Sequence, residues 1–294
     1  MPAKRRSGLT AVPDCADDAA PAGLDTSVPH MARVYDYWLG GKNNFAADRQ
    51  AAAAAMQAYP GLRRGVMAQR EFLRRAVQWL AAGQGIRQFL DVGTGLPSAN
   101  NTHEVVQAAA PECRIVYVDN DPLVLSHARA LLTSSPQGVT AYLDADLRNT
   151  GYILDRAAGT LDFSRPVALM LLGILQLIPD GDQPYAIVAR LLNALPGGSF
   201  LAIAHPASDV MPAQMTAAAA VVNRNVTTPA TLRTYDEVCA FFAGSTLVPP
   251  GVVQLHRWNP PRGQDDLPPG VVALPGPGGD RGEIGAYCGV GRKT

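Results

Sequence analysis

The chain has 294 residues, 47% of them hydrophobic, and its 25 Lys and Arg balance 25 Asp and Glu. That length allows a full core in one large domain or two small ones, and the zero net charge gives no sign of a nucleic-acid partner, which an overall basic excess would signal, though it leaves room for a local basic groove. Cys15, Cys113, Cys239 and Cys288 lie far apart without a CxxC pair, so neither a bound metal nor a disulfide framework is expected.

Residues 1–28 are rich in Ala, Pro and Asp and read as a disordered arm. Lys4, Arg5 and Arg6 open it, but Pro and Asp follow where an export signal needs an apolar core, and no apolar run reaches membrane-spanning length. A cytoplasmic location is expected. From residue 29 to 294 the chain reads as one domain: a helical segment (29–83), a regular core (84–205) and a tail (206–294). In the helical segment, residues 31–39 carry Val34 and Trp38 and meet a helix stop at Gly40-Gly41. A second helix runs from near Asn44 to about Met56. A third covers 66–82, where Phe72, Leu73, Ala76, Val77 and Leu80 recur at helical spacing, and Gly83 closes it. Arg70, Arg74 and Arg75 read as its solvated face.

The core alternates strand and helix. Residues 88–92 form an apolar run before Gly93-Thr94-Gly95. A helix over 101–110 opens on a capping box of Asn101 and Glu104. Strand 115–118 follows, then a helix capped by Asp121, started by Pro122 and running to Leu132. Strand 139–143, a weak helix over 149–157 and strand 167–172 come next. Ile187, Val188, Leu191, Leu192 and Leu195 make one stripe on a helix begun by Pro184, and 199–204 is the fifth strand. In the tail, a helix covers 209–223. Thr234 and Glu237 box a short helix ended by Gly244, and 252–258 could pair with 284–290 as an antiparallel hairpin around a Pro- and Gly-rich loop, 259–282. The fold class is α/β: a doubly wound, mostly parallel sheet of about seven strands with a C-terminal antiparallel hairpin.

Chemistry concentrates at the strand ends. In an open α/β sheet ligands sit at the carboxyl ends of the strands, where glycines let backbone amides come close. Asp91, Gly93, Thr94 and Gly95 occupy the first such end. A dinucleotide loop wants G-x-G-x-x-G facing a pyrophosphate; here Ser98 stands at the third glycine and Pro97 precedes it, which counts against a nicotinamide-dependent oxidoreductase. The acid Asp91 suits a cationic ligand such as S-adenosylmethionine, which carries a sulfonium and an ammonium and no phosphate. Asp119, followed by Asn120, ends the second strand and can accept ribose hydroxyls; its competing role, capping the next helix, falls better to Asp121. Asp146 and Leu147 follow the third strand, as an acceptor for the adenine amine and a packing surface for its ring. Gly173 follows the fourth. His205, ending the fifth, is the better-placed candidate for a base, but the reading preferred for it is a hydrogen-bonded structural histidine in the turn before Pro206. His103 reads as a helix-surface residue. Arg33, Tyr37, Lys42 and Asn44 crowd a Gly-Gly turn just ahead of the core and could form a lid over the cofactor; a helix pair with solvated charges is the alternative.

Longer strings carry a resemblance. They are residues 32–45, ARVYDYWLGGKNNF; 89–97; Asn101-Thr102-His103-Glu104; 116–122; and Gly289-Val290-Gly291-Arg292-Lys293. On these the chain resembles an actinobacterial family of S-adenosylmethionine-dependent methyltransferases, formerly a domain of unknown function, from about residue 29 to the end. The resemblance implies the class I methyltransferase (Rossmann-like) fold and S-adenosylmethionine as cofactor. It leaves the acceptor open; a small molecule is expected, and the oligomeric state is not readable. It also implies an acid where Asn43 stands and a His where Gln176 stands, so a base after the fourth strand is absent here. A binder of S-adenosylmethionine or S-adenosylhomocysteine that transfers nothing, a regulator or partner subunit, is the alternative reading.

Overall fold

The computed structural model describes residues 25–98, 100–131, 134–224, 226, 228–260 and 282–294. The arm expected over 1–28 therefore lies outside the described residues up to 24, as do the expected helix end at Leu132 and the loop expected over 259–282, apart from its first two residues and its last.

Three helices come first: α1 (Met31–Leu39), α2 (Ala46–Ala58) and α3 (Leu62–Gln78), whose end winds into a π turn, Trp79–Gly83. The core then runs β1 (Gln88–Val92), α4 (Thr102–Ala109), β2 (Arg114–Asp119), α5 (Pro122–Leu131), β3 (Val139–Asp144), α6 (Thr150–Ala157), β4 (Ala168–Leu172), α7 (Pro184–Asn193) and β5 (Phe200–Pro206). The tail adds α8 (Pro212–Asn223), α9 (Tyr235–Ala240), β6 (Ser245–Leu247), β7 (Val253–Gln254) and β8 (Ala286–Lys293).

The sheet has the order β3-β2-β1-β4-β5-β8-β6, with β7 also paired to β8. β1 to β5 are mutually parallel, while β8 runs antiparallel to β5, β6 and β7. Strands β1 and β4 are buried throughout, as a parallel sheet covered on both faces requires. Alternate residues feed separate cores. Phe89, Ile115 and Met170 pack under α3 and α4 with Phe72, Leu80 and Trp258. Leu90, Val116 and Leu169 pack under α6, α7 and α9 with Ile153, Leu191 and Phe241. The strand order reverses between β1 and β4, so a crevice opens at their carboxyl ends.

The tail departs from expectation in detail, giving eight strands where about seven were expected. β6 is three residues long, too short for periodicity to reveal. Of the expected strand over 252–258 only Val253–Gln254 pairs, because Leu255–Arg257 turns as a 3-10 helix. That turn inserts Trp258, fully buried, edge-on between Phe72 (5.2 Å) and Trp79 (6.2 Å). Arg75 holds the turn by donating to the carbonyls of Leu255 (2.8 Å) and Trp258 (3.0 Å), so it is not on a solvated face. β8 spends its hydrogen bonds mainly on β5 and β6 instead of a hairpin partner.

Candidate active site

The first strand tip is built by backbone and acid together. Gly93 N donates to Val118 O (2.8 Å), carrying the β1–β2 ladder one step beyond β1. The chain then turns through Gly95 at φ +67°, a left-handed conformation that glycine adopts without steric cost. Asp119 Oδ2 accepts from Gly95 N (2.8 Å) and its Oδ1 from Asp121 N (3.0 Å), so one carboxylate braces two loops. Burial pushes the Asp119 carboxyl up, against the lowering effect of those amides. Asp121 Oδ1 accepts from Leu123 N (2.8 Å) and caps α5. A Cβ on Gly93 would come within 2.5 Å of Ile174, whereas one on Gly95 would meet nothing within 4 Å among the described residues. The turn is thus packed beneath and open above.

Asp91 lies below it, 5% exposed, and accepts from Thr102 Oγ1 (2.6 Å). Burial pushes its carboxyl up to about 6. Around the open space a cleft is lined by Gly93, Thr94, Gly95 and Asp119; by Asn120, Asp146, Leu147 and Arg148; by Gly173, Ile174 and Gln176 beyond β4; and by His30, Met31, Tyr35, Gln69 and Arg70 from the N-terminal helices. The expected strand-end residues Asp91, Gly93, Thr94, Gly95, Asp119, Asn120, Asp146, Leu147 and Gly173 all fall on this one cleft. Asp146 also accepts from Arg148 N and Nη1 (both 2.8 Å), and Arg148 Nε reaches Asp182 (2.6 Å). Gln176 Nε2 donates to Gly173 O (2.7 Å), while its Oε1 is buried without a hydrogen-bond partner among the described residues.

The expected lid residues are elsewhere. Arg33 is 4% exposed, donates to the carbonyls of Val28 (3.0 Å) and Asp25 (3.3 Å), and pairs with Asp48 (3.5 Å). Asn44 Nδ2 donates to Asp36 Oδ2 (2.7 Å), inside the turn that follows α1. Tyr37 packs with the buried residues of α1 and α2, and Lys42 is exposed. None of the four lines the cleft. The wall that α1 does offer comes from residues on its other side and just before it, Tyr35, Met31 and His30, and α3 adds Arg70, which donates to Asn100 O (2.9 Å).

His205 is not positioned as a base. It is 1% exposed; its Nδ1 lies 2.9 Å from Pro206 O and its Nε2 2.8 Å from Arg233 Nη1. Nδ1 therefore carries the proton, and Nε2 spends its lone pair on a guanidinium. Burial lowers the imidazole to about 3. The same Arg233 donates to Leu175 O (3.1 Å), Ile178 O (3.0 Å) and Asp180 Oδ1 (2.7 Å), fixing the loop that carries Gln176. His103 is buried, not on the surface, with its amide and Nδ1 both on the Tyr117 hydroxyl (2.8 and 2.9 Å). Among the described residues, no cluster of His, Cys, Asp or Glu could hold a metal, and no helix is long and apolar enough to cross a membrane.

Known structures share this architecture. A DUF574 family protein from Streptomyces avermitilis is 41% identical, over 92% of this chain and 99% of that one, with a TM-score of 0.82. A candidate methyltransferase from Thermobifida fusca YX is 40% identical, over 95% and 100% of the two chains, with a TM-score of 0.80. The plantazolicin methyltransferase, crystallised with a desmethyl analogue and S-adenosylhomocysteine, is 10% identical with a TM-score of 0.51 over 90% and 96% of the chains, a likeness of fold alone. No curated protein matches. Fold and comparisons define the class: a class I methyltransferase, an enzyme that uses S-adenosylmethionine. The family model described as S-adenosyl methyltransferase matches residues 17–294, and the chain belongs to that family.

Proposed function

We propose that this methyltransferase holds S-adenosylmethionine over Gly95 and Asp119 and passes its methyl group to a small-molecule acceptor. The observation that carries the reading is the open space above Gly95, bounded by the carboxylate that braces it. Bound there, the cofactor supplies a methyl group activated by its sulfonium.

Each Asp119 oxygen uses one lone pair on an amide and keeps another for a ribose hydroxyl. Asp146 can accept from the adenine amine, and the buried Leu147 backs the ring. Asp91 and Arg70 present opposite charges toward the end where an ammonium and a carboxylate would lie. Gln176, Ile174 and Tyr35 wall the region left for the acceptor. Burial holds the Tyr35 hydroxyl up at about 12, so it stays protonated at neutral pH. The residues contribute by alignment and exclusion of water; in-line alignment is worth roughly 7–11 kcal/mol of barrier.

Calorimetric titration with S-adenosylhomocysteine tests the site. Wild-type protein should bind one equivalent, and Asp119→Ala should bind far more weakly. A folded wild-type sample that gives no heat overturns the reading. Transfer of labelled methyl from the cofactor to small molecules in a cell extract tests the acceptor class, and label found only on macromolecules overturns it.

A further inference from the structure

Gln69 stands in the middle of α3 on its inward face, one turn before the buried Leu73, where a polar side chain is costly unless it is hydrogen-bonded. Its Nε2 donates to Leu172 O (3.1 Å), the last carbonyl of β4. Only the nitrogen of a carboxamide can donate to a carbonyl, so this bond fixes which way the amide points. The group packs on Gly173, where an added Cβ would come within 2.6 Å of Nε2 and 3.2 Å of Oε1. Gly173 holds a left-handed φ of +78°, and the space its side chain would need is the space Gln69 fills.

Two carboxamides therefore clasp the β4 tip, Gln69 on Leu172 O and Gln176 on Gly173 O. Their oxygen ends differ. Gln176 Oε1 is buried, whereas Gln69 Oε1 is not, and it accepts from no donor among the described residues. Gln69 is half-buried and lines the cleft, so its Oε1 is an acceptor offered to a ligand.

Sheet order decides which ligand group meets it. The proposed site sets the adenine amine at Asp146 beyond β3 and the ribose at Asp119 on β2; β1 comes next and then β4. At roughly 4.8 Å per strand, the β4 tip lies two steps past the ribose, at the methionine end. There the sulfonium and the carboxylate have no proton to donate, and the ammonium has three.

We infer that Gln69, oriented by Leu172 and Gly173, is a specificity-determining residue that accepts a hydrogen bond from the ammonium of the cofactor's methionine end. The inference rests on the cofactor site proposed above. It makes α3 part of the methionine subsite, and it predicts selection of ligands that keep the amino group.

The test is a set of calorimetric cycles between protein and ligand. S-adenosylhomocysteine, its desamino analogue and its decarboxylated analogue are titrated into wild type, Gln69→Leu and Gln69→Lys; the lysine keeps a donor for Leu172 O and loses the acceptor. Melting curves verify the fold, and either folded variant decides the outcome. Wild type should bind the desamino analogue roughly tenfold or more weakly than S-adenosylhomocysteine. Both variants should bind S-adenosylhomocysteine and the decarboxylated analogue roughly tenfold more weakly than wild type does, and the desamino analogue as wild type does. A loss shared equally by all three ligands, or no loss at all, overturns the assignment of Gln69 while the cofactor site stands. So does a wild type that binds the desamino analogue as tightly as S-adenosylhomocysteine. If wild type binds none of the three, the cofactor site itself falls and the inference with it.

Discussion

Two turns of this molecule set an aspartate against a glycine in opposite ways, one closed on itself and one open to the cleft. After α1, Asp36 folds back into its own turn: Oδ2 accepts from Asn43 N (2.9 Å) and Asn44 Nδ2 (2.7 Å), and a Cβ on Gly41 would overlap the carboxylate. After β1, Asp119 reaches in from the neighbouring strand, holds Gly95 from the side and leaves the space above it free. In the first, glycine makes room for the protein's own acid. In the second, the space beside the glycine stays open to the cleft. The residue types alone do not separate the two cases; the direction from which the acid arrives does.

The largest expected effect falls on the open turn. Asp119→Ala removes two charged acceptors of ribose hydroxyls, each worth about 1.5–3 kcal/mol, so affinity for S-adenosylhomocysteine should drop about 100-fold or more by calorimetry. A loss under tenfold would place the ribose elsewhere.

Asp91, buried beneath that turn, sets a pH dependence. Its carboxyl titrates near 6 in the fold, because burial raises it, and near 3.9 in the unfolded chain. The contribution to stability is full below about pH 4 and is lost as pH rises through 6. Asp91→Asn removes this dependence. Between pH 4 and pH 7 the stability of the variant relative to wild type should improve by about 2–3 kcal/mol in denaturant melts. A difference that does not move with pH would show that Asp91 is not desolvated.

The closed turn should respond in stability only. Gly41→Ala forces a methyl into the Asp36 carboxylate and should cost about 1–3 kcal/mol, with cofactor affinity unchanged in the folded fraction. The smallest effect is at Gly95. Gly95→Ala meets no atom of the described residues within 4 Å but must hold a left-handed backbone, for about 1–2 kcal/mol. Gly95→Asn tolerates that backbone better, so its melting temperature should stay nearer wild type while affinity still falls. If Gly95→Asn binds normally, the space above the turn is not where the cofactor lies.

Much of the core was legible because local pattern and tertiary role coincide there. Among the first five strands, β1, β2, β4 and β5 are apolar runs buried along most of their length, and the capping box of Asn101 and Glu104 forms as its spacing requires. The strand-end acids could be found because the parallel sheet brings every such end to one edge. The N-terminal segment misled for a physical reason. Arg33 and Asn44 look like ligand-binding residues until their partners Val28, Asp48 and Asp36 are seen to hold them inside the N-terminal segment. His30 and Arg70 carried no signal, because what puts them on the cleft is the docking of α1 and α3 against distant strand tips. His205 has the hydrogen-bonded surroundings preferred for it, but its partner Arg233 approaches from 28 residues away, which no spacing rule foresees.

The insertion of β8 between β5 and β6 has a consequence for how the protein is made. β5 leaves the ribosome about 80 residues before its antiparallel neighbour, several seconds at about 5–20 residues per second. During that interval the inner edge of β5 is an unpaired template for another nascent chain. A chain stopped before β8 should aggregate, whereas supplying β8 as a separate peptide should rescue its solubility.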